Sequence, residues 1–266
     1  MKIKKIRLVS FSPTGNSRKV ITAIAAAFPD AQTEDIDITQ PGNSPTIQCR
    51  SDELVLFGAP VYAGRIAPLA VERLKNIRGI STPAVVMVTY GNREYEDALA
   101  ELQDLAEDAG FTTIAAASFI GEHSYSTAVT PIAPGRPDSS DLATAEEFGR
   151  QIRDRLEAAA DSAEARLQQL PPGNRPYQKG LGPLPFAPSL LESRCTQCES
   201  CLPVCPAAAI SLAEQIEIDR DLCILCCACV KICPEEALVM DAPPLVEKTQ
   251  WLYDNCSTRK EPELYL

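Results

Sequence analysis

The first part of the chain alternates between short apolar runs and longer segments whose apolar residues recur every three or four positions. The short runs predict strands at residues 3–9, 32–38, 54–58, 84–90 and 113–119. The longer segments predict helices at residues 17–28, 98–109 and 142–156. This order of βαβα units predicts an α/β fold, in which helices cover both faces of a parallel sheet.

The amino-acid composition changes in the last hundred residues. Residues 171–188 contain six Pro and three Gly, which is typical of a linker or of a strap wrapped over a surface. A cysteine-rich segment follows, and then a tail that the sequence assigns to neither half. We divide the chain into an N-terminal domain (1–165), a Pro-rich linker (166–193), a cysteine module (194–240) and a tail (241–266).

Composition and charge limit the classes of function and the partners expected for this protein. The 266 residues are 45% hydrophobic and carry a net charge of −11, and this negative charge disfavours nucleic acid and anionic membrane surfaces as partners. The basic start is followed by a short apolar stretch that contains Arg7, which makes a poor signal peptide. No apolar run approaches the length of a membrane span. We therefore expect a cytoplasmic protein; the sequence predicts no particular oligomeric state.

The cysteines form one internal repeat. Eleven Cys in a reducing compartment indicate metal binding more than disulfides. A run of four Cys followed by Pro recurs after 28 residues, and both copies read C-x-x-C-x-x-C-x-x-x-C-P. The copies are Cys195, Cys198, Cys201 and Cys205-Pro206, and then Cys223, Cys226, Cys229 and Cys233-Pro234. This is the pattern of bacterial ferredoxins that hold two 4Fe–4S clusters.

The spacing within each copy predicts how the two clusters share these ligands. Three closely spaced thiolates bind three irons of one cubane, and the Pro after the fourth Cys directs the chain away toward the other cluster. We call the resulting ligand groups the first cysteine set and the second cysteine set. The first set is Cys195, Cys198, Cys201 and Cys233, and the second set is Cys223, Cys226, Cys229 and Cys205.

The alternative for the eight cysteines is a pair of zinc sites. Zinc sites usually combine two ligand pairs across a spacer, often with His, and four Cys within eleven residues fit that pattern poorly. The other three cysteines, Cys49, Cys227 and Cys256, are expected to act as small buried side chains.

The segment after the first strand predicts a phosphate site. It contains neither the G-x-G-x-x-G of a dinucleotide site nor the G-K-[ST] of a P-loop. Instead, small hydroxyl and amide groups lead into a helix, whose free N–H groups bind phosphate well. The alternative is an ordinary capped helix. The candidate residues of this first loop are Ser12, Thr14, Gly15, Asn16 and Ser17.

Two further loops follow the third and fourth predicted strands, where ligands bind in open α/β sheets. The second loop lies in G-A-P-V-Y-A-G-R-I-A-P and the third in T-Y-G-N-R-E-Y-E-D, and both contain Tyr and Gly. Together the three loops resemble flavodoxin over residues 1–160. The combination with the cysteine module resembles the flavodoxin–ferredoxin hybrid proteins known as EFR1-family ferredoxins, and so does the ending R-K-E-P-E-L-Y-L.

The resemblance implies a flavodoxin-like, doubly wound parallel sheet of five strands in the order 2-1-3-4-5, followed by a small α+β dicluster ferredoxin-like module. It also implies non-covalent FMN, with its phosphate on the first loop and Tyr62 and Tyr95 as the stacking rings. Each Tyr is as readily explained as a packing residue. The residues expected around the flavin ring are Pro60, Val61, Tyr62, Ala63, Gly64, Tyr90, Gly91, Asn92 and Tyr95.

These cofactors predict an electron-transfer iron–sulfur flavoprotein that works with a redox partner protein under anaerobic conditions. One alternative is an FMN-dependent reductase of a small molecule, and another is a redox or oxygen sensor. The sequence has no nicotinamide fingerprint and only one His, which favours a carrier. His123 either borders the flavin or is a solvated loop residue.

Overall fold

The computed structural model describes residues 1–180, 182 and 184–266. The N-terminal part forms an α/β domain. Its elements are β1 (Lys5–Ser10), α1 (Asn16–Ala25), β2 (Gln32–Asp37), β3 (Ile47–Cys49), β4 (Glu53–Tyr62), β5 (Arg65–Ile66), α2 (Pro68–Leu74), β6 (Ile77–Gly79), β7 (Thr82–Tyr90), α3 (Ala98–Asp108), β8 (Phe111–Ile120) and α4 (Ser139–Ala158).

The C-terminal part consists of short elements around the cysteine loops, followed by a helix and a strand. These elements are β9 (Ser189–Leu190), β10 (Ile210–Leu212), β11 (Ile216–Ile218), α5 (Ala228–Ile232), β12 (Leu238–Val239), α6 (Pro243–Asn255) and β13 (Glu263–Tyr265). Strands β10 and β11 form one antiparallel pair, and β9 and β12 form another. None of the described helices combines the length and apolar character needed to cross a membrane.

The five predicted parallel strands lie in the predicted order. Their sequence across the sheet is β2-β1-β4-β7-β8, which corresponds to 2-1-3-4-5. Two further strands extend the sheet to seven: β5 pairs with the end of β4, and β13 pairs antiparallel with β8. The sequence did not predict β13. It covers a strand edge that would otherwise offer free N–H and C=O groups to other chains.

Side chains alternate between the two faces of the sheet, and both faces are buried. In β4, Leu54 and Leu56 pack with apolar residues of α1 and α4. Val55 and Phe57 point to the other face and pack with α2 and α3. Strands β7 and β8 are buried along their whole length, as expected for parallel strands between two helical layers.

The predicted Pro-rich linker is a strap along α3. Asp104 of this helix accepts hydrogen bonds from Arg175, at 2.8 Å, and from the Tyr177 hydroxyl. Asp97 accepts one from the backbone N–H of Asn174 at 2.7 Å. These carboxylates fix residues 174–178 to the α/β domain. Leu181 and Pro183, which belong to the predicted linker, lie outside the described residues.

Candidate cofactor sites

The eight repeated cysteines surround two separate cavities. One cavity, of about 350 Å³ including its mouth, is lined by all four members of the first set. The other, of about 330 Å³, is lined by all four members of the second set and by Cys227. The structure thus brings Cys233 to the loop of the first copy and Cys205 to the loop of the second.

The two copies also share their backbone geometry. Three pairs of residues, each 28 positions apart, adopt nearly equal positive φ angles, which non-Gly residues rarely do. The pairs are Gln197 and Leu225 (53° and 56°), Glu199 and Cys227 (both 59°), and Ala208 and Glu236 (50° and 48°). The backbone N–H groups of Ala209 and Ala237 each donate to a cysteine Sγ at 3.3 Å, of Cys205 and Cys233 respectively. The copies are therefore two versions of one binding loop.

The cysteine geometry fits a cluster of several atoms better than a single metal ion. Within residues 1–180, 182 and 184–266, no three His, Cys, Asp or Glu side chains are grouped so that they could hold one ion. The cysteines instead enclose space. Burial raises the pKa of Cys226 and of Cys229 to about 12, so these thiols are protonated at neutral pH until metal binds.

The first loop has the features of a phosphate cradle at the start of α1. Gly15 has a φ of 82°, and a Cβ built on it would meet no atom within 4 Å. Gly15, at the N-cap position, has no side chain to cap the helix, and the first turn contains no acidic residue. Thr14 and Asn16 are half-buried. The helix start therefore offers N–H groups and a favourable dipole to an anion.

Two residues of this loop are already engaged. The Ser17 hydroxyl is buried and lies 2.6 Å from the Thr89 hydroxyl. The Ser12 hydroxyl accepts the backbone N–H of Arg18 at 3.2 Å, and the Ser12 backbone N–H donates to Thr39 at 2.8 Å. The hydroxyls of Ser12 and Ser17 thus stabilise the loop itself. Of the three hydroxyls in this loop, that of Thr14 is therefore the best candidate to bind a phosphate.

The second loop is shorter than expected, because β4 continues to Tyr62. Pro60, Val61 and Tyr62 are half-buried residues at the end of this strand. Ala63 and Gly64, with φ angles of 52° and 79°, form the tight turn into β5. The Tyr62 ring therefore sits on a rigid strand end, at the carboxyl edge of the sheet.

The third loop is occupied by the C-terminal tail. Asn92 is buried, and its side-chain amide donates to the carbonyls of Cys256, at 2.5 Å, and Thr258, at 2.9 Å. Tyr90 ends β7 and is 4% exposed, and Lys260 lies 5.8 Å from the centre of its ring. Gly91, which follows Tyr90, is half-buried.

Tyr95, expected to stack on the flavin, lies in the protein core. Its ring is 3% exposed and packs 5.5 Å from that of Tyr90. Its hydroxyl donates to Glu263 at 2.7 Å and lies 3.0 Å from the Tyr265 hydroxyl. In this arrangement Tyr95 anchors β13, and its ring has no free face.

Two side chains of the loop after β8 join the site instead. The His123 ring contacts Gly91 so closely that a Cβ there would lie 2.2 Å from its Cδ2. His123 Nδ1 accepts the backbone N–H of Tyr125 at 3.0 Å, and the two ring centres are 5.1 Å apart. Burial, with minor effects from nearby cations, lowers the pKa of His123 to about 4. His123 is thus a neutral, packed side chain and not a solvated loop residue.

The cysteine module sits on the carboxyl edge of the sheet, beside these loops. Lys231 of α5 forms a salt bridge of 2.9 Å with Glu122, whose carbonyl also accepts the Asn16 amide at 3.4 Å. Arg73 of α2 donates to the carbonyl of Pro206 at 2.6 Å. This contact was not predicted from the sequence, because Lys231, Glu122 and Arg73 are not defining residues of any motif.

Residues 187–257 match a family model described as a 4Fe-4S dicluster domain. Comparison with curated protein sequences finds no match. Among solved structures, a flavodoxin from the domain Archaea has 14% identity and a TM-score of 0.38, over 57% of this chain and 99% of that one. A flavodoxin of Megasphaera elsdenii has 18% identity and a TM-score of 0.33, over 53% and 97%. Rubredoxin oxygen:oxidoreductase from the anaerobe Desulfovibrio gigas has 14% identity and a TM-score of 0.37, over 59% and 37%.

The architecture of the N-terminal domain follows from its own strand order. A parallel sheet in the order 2-1-3-4-5, with helices on both faces, is the flavodoxin-like version of the doubly wound fold. The family match and the two cysteine-lined cavities assign the C-terminal part. The chain therefore joins a flavodoxin-like α/β domain to a 4Fe–4S dicluster domain.

Proposed function

We propose that this protein is an electron carrier that holds two 4Fe–4S clusters and FMN and exchanges electrons with a redox partner protein. The observation that supports it best is the contact of the cysteine module with the carboxyl edge of the sheet, through Lys231 and Glu122 and through Arg73 and Pro206, beside the candidate flavin loops. When bound, the clusters supply one-electron chemistry, and FMN supplies both one- and two-electron chemistry.

The side chains around the edge have separable roles in this proposal. The cysteine sets hold the clusters, the first loop holds the FMN phosphate, and Tyr62 supports one face of the ring. The module contacts the edge that carries the candidate flavin loops, and this proximity of the two kinds of site favours a carrier over a reductase. His123 supports the same choice, because its Nδ1 accepts a hydrogen bond within the protein and its ring is neutral.

The proposed setting is the cytoplasm of an organism that lives without oxygen. None of the eleven cysteines, all of which are among the described residues, is paired in a disulfide, which suits a reducing compartment. Cys198 is exposed, so a cluster held by the first set would be open to dissolved oxygen.

The cofactor content tests this proposal directly. Purified without oxygen, the chain should contain about eight iron and eight acid-labile sulfides, as two cubanes require. It should also contain one FMN that is released on unfolding. Stoichiometric zinc without sulfide would refute the cluster assignment, and a flavin-free protein that does not take up added FMN would refute the carrier.

Thr14→Val tests the phosphate site. Loss of one hydrogen bond to a charged group costs about 1.5–3 kcal/mol, so FMN should bind about tenfold to a hundredfold more weakly. Riboflavin, which lacks the phosphate, should bind poorly and equally to both proteins. Thr22→Val, an exposed change on the same helix, serves as the control. Equal FMN affinity of Thr14→Val and the natural protein would remove the first loop as the phosphate site.

A further inference from the structure

The two cysteine sets differ in their surroundings. Cys198, in the first set, is the one exposed member of the eight ligands. In the second set, Cys226 and Cys229 are buried, and the other two members are partly covered. The clusters held by these two sets would therefore differ in their exposure to solvent.

The residues between the first three cysteines of each copy also differ, in their polarity. In the first copy the two spacers between the first three cysteines are polar, and in the second copy the corresponding two spacers are apolar or small. The polar spacers are Thr196, Gln197, Glu199 and Ser200, and their counterparts are Ile224, Leu225, Cys227 and Ala228. Glu199 is exposed, whereas Cys227, at the same backbone position with the same φ, is buried. An apolar loop is stable only where another surface covers it.

The covering surface is the flavodoxin-like domain. Ile224 packs against the core cluster on the same side of the sheet as Tyr62. Lys231, two residues after Cys229, forms the salt bridge with Glu122, and Arg73 binds the carbonyl of the residue after Cys205. These contacts all lie next to members of the second set.

Tyr62 lies on the side of the sheet that contacts the second set. It ends β4 as a half-buried residue and packs against the same core cluster as Ile224, which stands between Cys223 and Cys226. Tyr62 and the second set therefore share one apolar surface of the domain.

We infer that the second cysteine set is the inner one of the two, facing the flavin loops across the Tyr62 ring, and that the first set is the outer one, turned toward solvent and a protein partner. Tyr62 is thus a positioning residue, which separates the second cluster from the flavin site. The identity of the group beyond Tyr62 rests on the proposed function, but the inner and outer placement of the clusters does not.

Electron paramagnetic resonance of the reduced, cluster-loaded full chain tests this placement. A water-soluble, uncharged dysprosium chelate speeds the relaxation of a paramagnetic centre that it can approach. Cys198→Ser and Cys223→Ser, one ligand change in each set, assign the two cluster signals. The first-set signal should respond to the chelate several-fold more strongly than the second-set signal. Equal responses, or a stronger response of the second set, would overturn the inference.

A second measurement addresses Tyr62 itself. Tyr62→Ala should increase the response of the second-set signal and leave the first-set signal unchanged, whereas Tyr62→Phe should change neither, because it keeps the ring. Tyr253→Ala, at a partly exposed tyrosine of α6, is the matched control. An unchanged second-set response in Tyr62→Ala would exclude Tyr62 as its cover. The same asymmetry in a protein that binds no FMN would refute the proposed function and leave the placement standing.

Discussion

Replacing His123 by Gln should make the stability of the protein less sensitive to acid. The His123 ring is packed against Gly91 and Tyr125. Burial, and then the positive charges of Lys231, Arg93 and Lys248, lower its pKa from 6.5 to about 4. Protonation would also break the hydrogen bond in which Nδ1 accepts the Tyr125 N–H.

The magnitude follows from the difference between the folded and unfolded pKa values. The unfolded chain binds a proton on this His near pH 6.5, and the folded chain does so near pH 4. The stabilisation is therefore fully present above pH 6.5 and is lost as the pH falls toward 4. Between pH 7 and pH 5, the natural protein should lose about 2 kcal/mol more free energy of unfolding than His123→Gln.

Denaturant unfolding under anaerobic conditions measures this difference, with both proteins followed by circular dichroism at pH 7, 6 and 5. Acid damage to the clusters affects both proteins alike and cancels in the comparison. Ala128→Gln, an exposed change in the same loop, should behave like the natural protein. Equal losses in the natural protein and His123→Gln would show that the ring is solvated and that its pKa is ordinary.

Three further substitutions test the ligand sets and the packing. Cys205→Ala should abolish the cluster signal of the second set, although Cys205 lies in the first copy; loss of the first-set signal would contradict the crossed assignment. Gly149→Ala should reduce the free energy of unfolding by about 1–3 kcal/mol through overpacking, because its Cβ would lie 2.3 Å from the Ile24 carbonyl oxygen; an unchanged denaturation midpoint would refute this. Asp141→Asn should cost up to about 3 kcal/mol, because it removes the closer of the two carboxylates that pair with the buried Arg136 guanidinium and leaves only Asp138, at 3.7 Å. Since Arg136 also binds the tail, limited proteolysis should then cleave the tail faster, and natural cleavage rates would count against the contact.

The sheet could be predicted because its signal is local. Apolar runs between helical segments identify parallel strands whichever residues surround them. Strand ends are less well defined: β4 runs four residues beyond its predicted end at Gly58, because its continuation pairs with β5. The last strand could not be predicted, since three residues of Glu-Leu-Tyr become a strand only by pairing with β8, far away in the sequence.

The candidate sites likewise differ in how well the local sequence predicts them. The eight cysteines could be located from spacing alone, because each loop carries most of its own ligands. The environment of the flavin loops could not, because it depends on contacts between distant segments. Tyr95 has the sequence context of a ring-stacking residue, yet Glu263 and Tyr265 of the tail engage its hydroxyl. Asn92 likewise binds the tail.

The sequence contains a signal for the side of the cysteine module that contacts the α/β domain. Two loops that bind the same kind of cluster need the same cysteines, but the residues between these cysteines can vary with the surroundings of each loop. The spacers T-Q and E-S of the first copy suit water, and the spacers I-L and C-A of the second suit a protein surface. In the first two spacers of this repeat, the difference in polarity between the copies therefore follows the difference between their surroundings. Exchanging the two spacer pairs should expose an apolar loop on the first copy and weaken the domain contact on the second.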